Sequence, residues 1–175
     1  MKNILLFCFL IISGSLQVRA LDIQKIRADY VAAVRNSGKA TQLCKDLEKI
    51  KNPEPLILAY LGSVQAIKAK HAWNPVSKMA CLKQGFETLN MAVLKDPNQL
   101  EIRFLRFSLQ FYVPAVLGYS KNLDTDKKKI IAILQHHNNT QSPQDDQMLK
   151  TIVRFMIDCK KCNTQEIEVL KKSIA

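Results

Sequence analysis

Cys159-Lys160-Lys161-Cys162 is the stretch whose residue types and spacing point most directly to chemistry. A C-x-x-C pair supports thiol–disulfide exchange when one sulfur is held as thiolate, which a helix N-terminus favours. Upstream, Met148, Ile152, Phe155 and Met156 recur at helical spacing, so the pair falls at a helix C-terminus. There the helix dipole opposes a thiolate, and the two lysines offset that only in part. No strand precedes the pair, as a thioredoxin-like arrangement requires. Asn163 stands where haem attachment would need a histidine. Cys159 and Cys162 are therefore expected to be structural, as a disulfide or as thiols, with a redox-active pair as the alternative.

Other chemistry finds less support. His136 and His137 are adjacent and point to different helix faces, and a second C-x-x-C, the other half of a structural zinc site, is missing. No metal and no cofactor is expected. There is no Gly-x-Ser-x-Gly turn and no glycine-rich phosphate loop. Asn138-Asn139-Thr140 has the form of a glycosylation acceptor and reads as a loop. The chain is expected not to be an enzyme.

Arg103 and Arg106 are the remaining candidates. They belong to Asn98–Tyr119, NQLEIRFLRFSLQFYVPAVLGY, the most apolar stretch after the first twenty residues. On a helical wheel Leu100, Phe104, Phe107 and Phe111 form one apolar stripe. Ile102, Leu105, Leu109 and Tyr112 form a second. Gln99, Arg103, Arg106 and Gln110 share one narrow polar stripe. If that stripe lines a groove, two arginines suit a carboxylate or a peptide terminus; otherwise they pair with acids of neighbouring helices or face water. Asn98 followed by Glu101 has the order of a capping box, which accounts for the acid. Pro114 should kink or stop the helix.

The elements that must position these residues are all helical. Apolar periodicity predicts helices over 21–35, from Ser37 or Gly38 to about 50, from Pro55 to about 69–71, and over 75–95. Asn74-Pro75 opens the last of these, and Val76, Met79, Phe86, Leu89 and Val93 make its apolar stripe. Gly62 lacks a side chain and lets a neighbouring helix come close. Beyond the central segment, Asp124 caps a helix reaching His136, and Ser142-Pro143 caps another ending near Cys159. Asn163 or Thr164 opens the last. The expected fold is all-α, about eight helices in antiparallel pairs within one domain.

Residues 1–20 stand outside that domain. Lys2, the apolar run Ile4–Ile12 and Val18-Arg19-Ala20 have the organisation of a signal peptide cut after Ala20. The run is too short to span a bilayer, and Cys8 lies inside it, away from any lipobox-like position. The domain is then 21–175, exported to the periplasm of a Gram-negative bacterium or secreted, with no transmembrane segment after cleavage. Cys44, Cys81, Cys159 and Cys162 remain, and four cysteines in an oxidising compartment allow three connectivities. The chain carries 26 Lys and Arg against 15 Asp and Glu, a net charge of +11. The bases are dispersed and are not interleaved with aromatics, which argues against a nucleic-acid surface.

The run Phe86–Arg106, FETLNMAVLKDPNQLEIRFLR, resembles a tetratricopeptide-type repeat junction. Ala92, Pro97 and Asn98 match the spacing at which one such repeat closes and the next opens. Tyr60, Leu61 and Gly62 resemble the first-helix pattern upstream. Trp73 and its connector do not fit a register of about 34 residues, so the resemblance implies a degenerate repeat. The stretch Glu101–Ile130 is similar to small uncharacterised exported proteins of Bacteroidota, which implies a source and a compartment but no activity. The expectation is an exported, non-enzymatic helical module binding a protein or peptide partner through Gln99, Arg103, Arg106 and Gln110. A thiol-dependent envelope protein using Cys159 and Cys162, or a purely structural domain of an envelope assembly, is the alternative.

Overall fold

Polar caps divide the chain into its elements. In the computed structural model, residues 22–136 and 143–174 are described, and they form eight α-helices with no strand among them. The expected cleavage site, His137, the Asn138–Thr140 acceptor and the Ser142 cap lie outside the described residues.

Asp22 opens α1 (Ile23–Arg35) by accepting from the Gln24 and Lys25 amides. Asn36 then closes α1 and opens α2 (Ser37–Glu48) in a single residue. Its amide donates to the Ala32 carbonyl while its side chain accepts from the Lys39 amide. The cap is thus Asn36 and not the Ser37 or Gly38 expected, because a carboxamide reaches the third amide of the helix well.

Two prolines at first-turn positions start α3 (Pro55–His71) and α4 (Pro75–Lys95). Asn74 caps α4 by accepting from the Ser77 amide at 2.7 Å. These two helices cross at glycines. A Cβ on Gly62 would lie 2.7 Å from the Leu89 nitrogen and 2.8 Å from the Gly85 oxygen. One on Gly85 would lie 2.5 Å from the Ala66 nitrogen. Gly62 facing Leu89, with Ala66 facing Gly85, makes the pair antiparallel. The backbones meet closely enough that either position admits only glycine. As a result α3 is buried from Ile57 to Ala69 on every side, an inner helix as fully as the one expected after Asn98.

Val76 and Met79, expected in the core stripe of α4, are exposed, Val76 at 80%. The buried stripe starts later, at Leu82, and runs through Gly85, Phe86, Leu89, Ala92 and Val93. Length explains the difference. At about 1.5 Å per residue, α4 is roughly 30 Å long and α5 (Leu100–Tyr112) roughly 20 Å, so α5 cannot cover the start of α4.

Helix α5 divides the interior. Ile102, Leu105 and Leu109 join the core built by α1–α4. Phe107, with Leu100 and Phe104 packed beside it, joins a second core made by α6 (Leu123–Gln135), α7 (Pro143–Asp158) and α8 (Thr164–Lys172). The two apolar stripes read on the wheel are these two contact faces. Tyr112 departs from its stripe and is 71% exposed. Pro114 stops the helix instead of bending it, since α5 ends at Tyr112 and a short 3-10 turn, Ala115–Leu117, follows. Gly118 at φ 78° then reverses the chain, and Tyr119 returns to stack on Phe86 at 4.7 Å. Asp124, expected to cap α6, sits in its first turn and pairs with Lys128 at 2.8 Å. Asn163 caps α8 in a complete capping box with Glu166.

Candidate functional site

The polar stripe of α5 converges on one carboxylate. Asp126, on α6, has no exposed surface. Its Oδ1 accepts from Arg103 Nη1 at 2.9 Å and Arg106 Nη2 at 2.7 Å, and its Oδ2 accepts from Arg106 Nε at 2.8 Å and Gln110 Nε2 at 2.9 Å. Three further donors are placed around it. Arg106 Nη1 donates to Asn90 on α4, Arg103 Nε to the Pro97 carbonyl, and the Asn122 amide to Gln110 Oε1. Gln99 is the true cap of α5, accepting from the Ile102 amide at 2.7 Å. The structure therefore brings Arg103, Arg106 and Gln110 together inside the protein and leaves Gln99 at the helix start. A fork–fork arginine pair of this kind is strong and specific in geometry.

Glu101 has no capping role. It is buried, and its carboxylate takes a bidentate pair from Arg27 of α1, Nη2–Oε2 at 2.6 Å and Nε–Oε1 at 2.9 Å. Tyr60 of α3 donates its phenol to the same carboxylate. Arg27 Nη1 reaches on to Asp145 in the first turn of α7, at 3.2 Å. A single cluster thus joins α1, α3, α5 and α7 near their N-terminal ends. Burial first, then the neighbouring Glu101 charge, raises the Tyr60 phenol well above its ordinary value. Burial does the same to Tyr30, whose ring meets Tyr60 edge-on at 5.4 Å. The sequence signal for this cluster was Glu101 itself, an acid on an apolar face of α5.

The odd-numbered helices run in one direction. Tyr30 meets Tyr60, and further along Lys70 and His71 at the end of α3 reach the Val34 and Ala33 carbonyls at the end of α1. Asp145 lies near Arg27, and further along α7 Phe155 packs against Phe104, Phe107, Phe111 and Tyr112 of α5, with centroids 5.3–6.2 Å away. On that part of α7 an open groove of about 330 Å³ is lined by Gln147, Lys150, Thr151, Arg154, Phe155 and Asp158. Phe155 is the apolar part of its lining, and the half-buried Phe111 and exposed Tyr112 of α5 meet the Phe155 ring edge-on at 5.7 and 5.9 Å. Lys150 is held by Asp146 at 2.7 Å, while Arg154 has no ion-pair partner among the described residues.

The cysteines and histidines occupy separate places. Cys44, Cys81, Cys159 and Cys162 are thiols. Cys159 donates to the Met156 carbonyl at 3.1 Å. Burial, then the neighbouring Cys159, pushes the Cys162 thiol up to about 11. Burial, then the hydrogen bond to Glu48, pushes Cys44 up to about 11 as well. His71 is tied to the Ala33 carbonyl and His136 is exposed. No group of three His, Cys, Asp or Glu among the described residues is placed to hold a metal ion. No described helix is long and apolar enough to cross a membrane. Comparison with protein-family models, with curated proteins and with solved structures returns no match to this chain.

Proposed function

We propose that this chain is an exported, non-enzymatic helical module, a degenerate tetratricopeptide-like stack, that holds an extended segment of a partner protein in the groove along α7. The stack reading is supported by the order of packing. Helices α1, α3 and α5 lie side by side in one direction, and α2 and α4 pack between their neighbours. The polar residues first suspected of binding, Arg103, Arg106 and Gln110, already have partners in Asp126, so recognition is assigned elsewhere.

The observation that carries this reading is the α7 groove, where an aromatic ring lies in the lining beside an arginine with no ion-pair partner. Its size lies within the range that holds a few side chains. Phe155 and Tyr112 suit an apolar or aromatic anchor, as buried rings do at interface centres. Arg154 and the strongly basic character of the whole chain select an acidic residue next to that anchor. The thiol-dependent alternative loses support from Cys162, whose raised pKa keeps it protonated near neutrality.

Photo-crosslinking tests the proposal. A photoreactive residue placed at Thr151 should form one dominant adduct in the cell envelope, and one at Gln42 on α2 should not. The captured peptide should carry an acidic residue beside an apolar one. No adduct at Thr151, or equal adducts at both positions, would remove the groove from the account.

A further inference from the structure

The end of α3 and the start of α4 form a projecting corner. Every residue from Trp73 to Ala80 is exposed, so the first six residues of α4 are open to solvent. Trp73, in the connector, is fully exposed, and Val76 and Met79 share one face of the helix that follows. Apolar side chains exposed singly are ordinary, whereas a cluster of them marks a contact surface.

The connection between α1 and α2 meets this corner. Lys70 Nζ donates to the Val34 carbonyl at 3.0 Å, and His71 Nε2 lies 3.0 Å from the Ala33 carbonyl, which brings Arg35 and Lys39 to the same end of the molecule. Arg35, Lys39, Lys70 and Lys78 are exposed and have no ion-pair partner among the described residues. No acid occurs between Asp29 and Asp46 or between Glu54 and Glu87. At 1.5 Å per residue, Glu87 stands about 18 Å along α4 from Pro75, and Asp46 about 14 Å along α2 from Ser37. Both are beyond the screening length of about 8 Å, so the corner carries positive charge that no acid offsets.

We propose that this corner docks the protein on the surface of an anionic phospholipid bilayer. Trp73 and Val76 enter the headgroup region, and Arg35, Lys39, Lys70 and Lys78 meet lipid phosphates beside them. An indole settles at a membrane–water interface because its body is apolar and its N–H polar. Lysine and arginine are drawn to an anionic leaflet within a screening length of it, and their long stems let the charge rest at the phosphates while an apolar tip goes deeper. A bilayer is a continuous surface of one charge sign over an apolar layer. The corner presents the matching order, apolar side chains beside cations with no acid close by. A single indole offers no series of rings on which bases could stack, which disfavours a nucleic acid. This contact is separate from the α7 groove and requires neither that groove nor export.

Trp73 is the only tryptophan in the chain, so its fluorescence reads this corner directly. The full chain is mixed with vesicles of equal parts phosphatidylglycerol and phosphatidylcholine, and separately with vesicles of phosphatidylcholine alone. With the anionic vesicles only, Trp73 emission should move to shorter wavelength and become shielded from acrylamide. Lys78→Glu, and independently Lys39→Glu, should weaken partitioning at least about tenfold. Lys95→Glu, the same charge change at the far end of α4, should alter it by less than about twofold. Circular dichroism checks that each variant keeps its fold. Equal losses in all three variants, or sedimentation with vesicles while Trp73 emission stays unchanged, would place the contact elsewhere and overturn the proposal. It is overturned as well if phosphatidylcholine alone or a duplex oligonucleotide gives the same shift, or if the shift grows with protein concentration in the absence of lipid, the sign of a second copy of the chain.

Discussion

Glu101, on α5, and Asp126, on α6, are the two residues on which the polar interior turns. Each is a buried acid with guanidinium partners arranged around it. Removing one partner of a buried pair leaves a desolvated charge, at a cost of about 3–5 kcal/mol. Asp126→Ala should therefore destabilise the protein by about that amount, since Arg103 and Arg106 would share no carboxylate; urea unfolding measures it. Tyr60→Phe removes a hydrogen bond to a charged group and should cost about 1.5–3 kcal/mol. Were Glu101 only a helix cap, the same substitution would be silent. The phenols also set an alkaline limit. Tyr30 and Tyr60 are raised in the folded protein above the ordinary 10.0, so the unfolded chain ionises first. Stability from this source is complete below pH 10 and is lost as pH rises beyond it. Urea midpoints between pH 8 and 11 should fall above pH 10, and less so in Tyr60→Phe.

At the scale of elements, the closest approach is the α3–α4 crossing. Gly85→Ala would push a methyl to 2.5 Å from backbone that cannot give way. The helices must part, with a cost of at least about 1–3 kcal/mol for overpacking. Gly38→Ala brings a Cβ to 3.2 Å from the Asn36 Oδ1 that caps α2, a side-chain contact that needs to give by only a few tenths of an ångström, and should change stability by less than about 1 kcal/mol. Denaturant midpoints of the two variants separate the cases. The helices themselves were legible in the sequence, because caps, prolines and apolar period are local signals. The two stripes of α5 were legible for the same reason. What each stripe and each charge faces was not. Asn98 with Glu101 and Asn163 with Glu166 have the same spacing, yet only the second is a capping box. Glu101 is drawn instead to Arg27, 74 residues away, a partner that no local pattern reveals. The exposure of Val76 and Met79 was hidden likewise, since it depends on α5 being shorter than α4.

For the whole molecule, the proposed function separates the residues that hold the fold from those that meet a partner. Arg27 reaches both Glu101 and Asp145, so one side chain ties the first helix to the fifth and the seventh. Lys127, part of the longest lysine run, ties α6 to α8 through Glu166 at 3.2 Å and is mostly covered. The internal charges are thereby engaged in the fold. In the proposed reading, the α7 groove, with Arg154 and Phe155 in its lining, is what meets a partner. That division is the central claim, and one comparison tests it most directly: the yield of the Thr151 photo-adduct in Arg154→Glu against the unaltered protein. Arg154 is exposed, so the helical circular dichroism and urea midpoint should stay unchanged while the adduct falls at least about tenfold, the loss expected for about 1.4 kcal/mol of binding. An undiminished adduct on an intact fold would contradict the account.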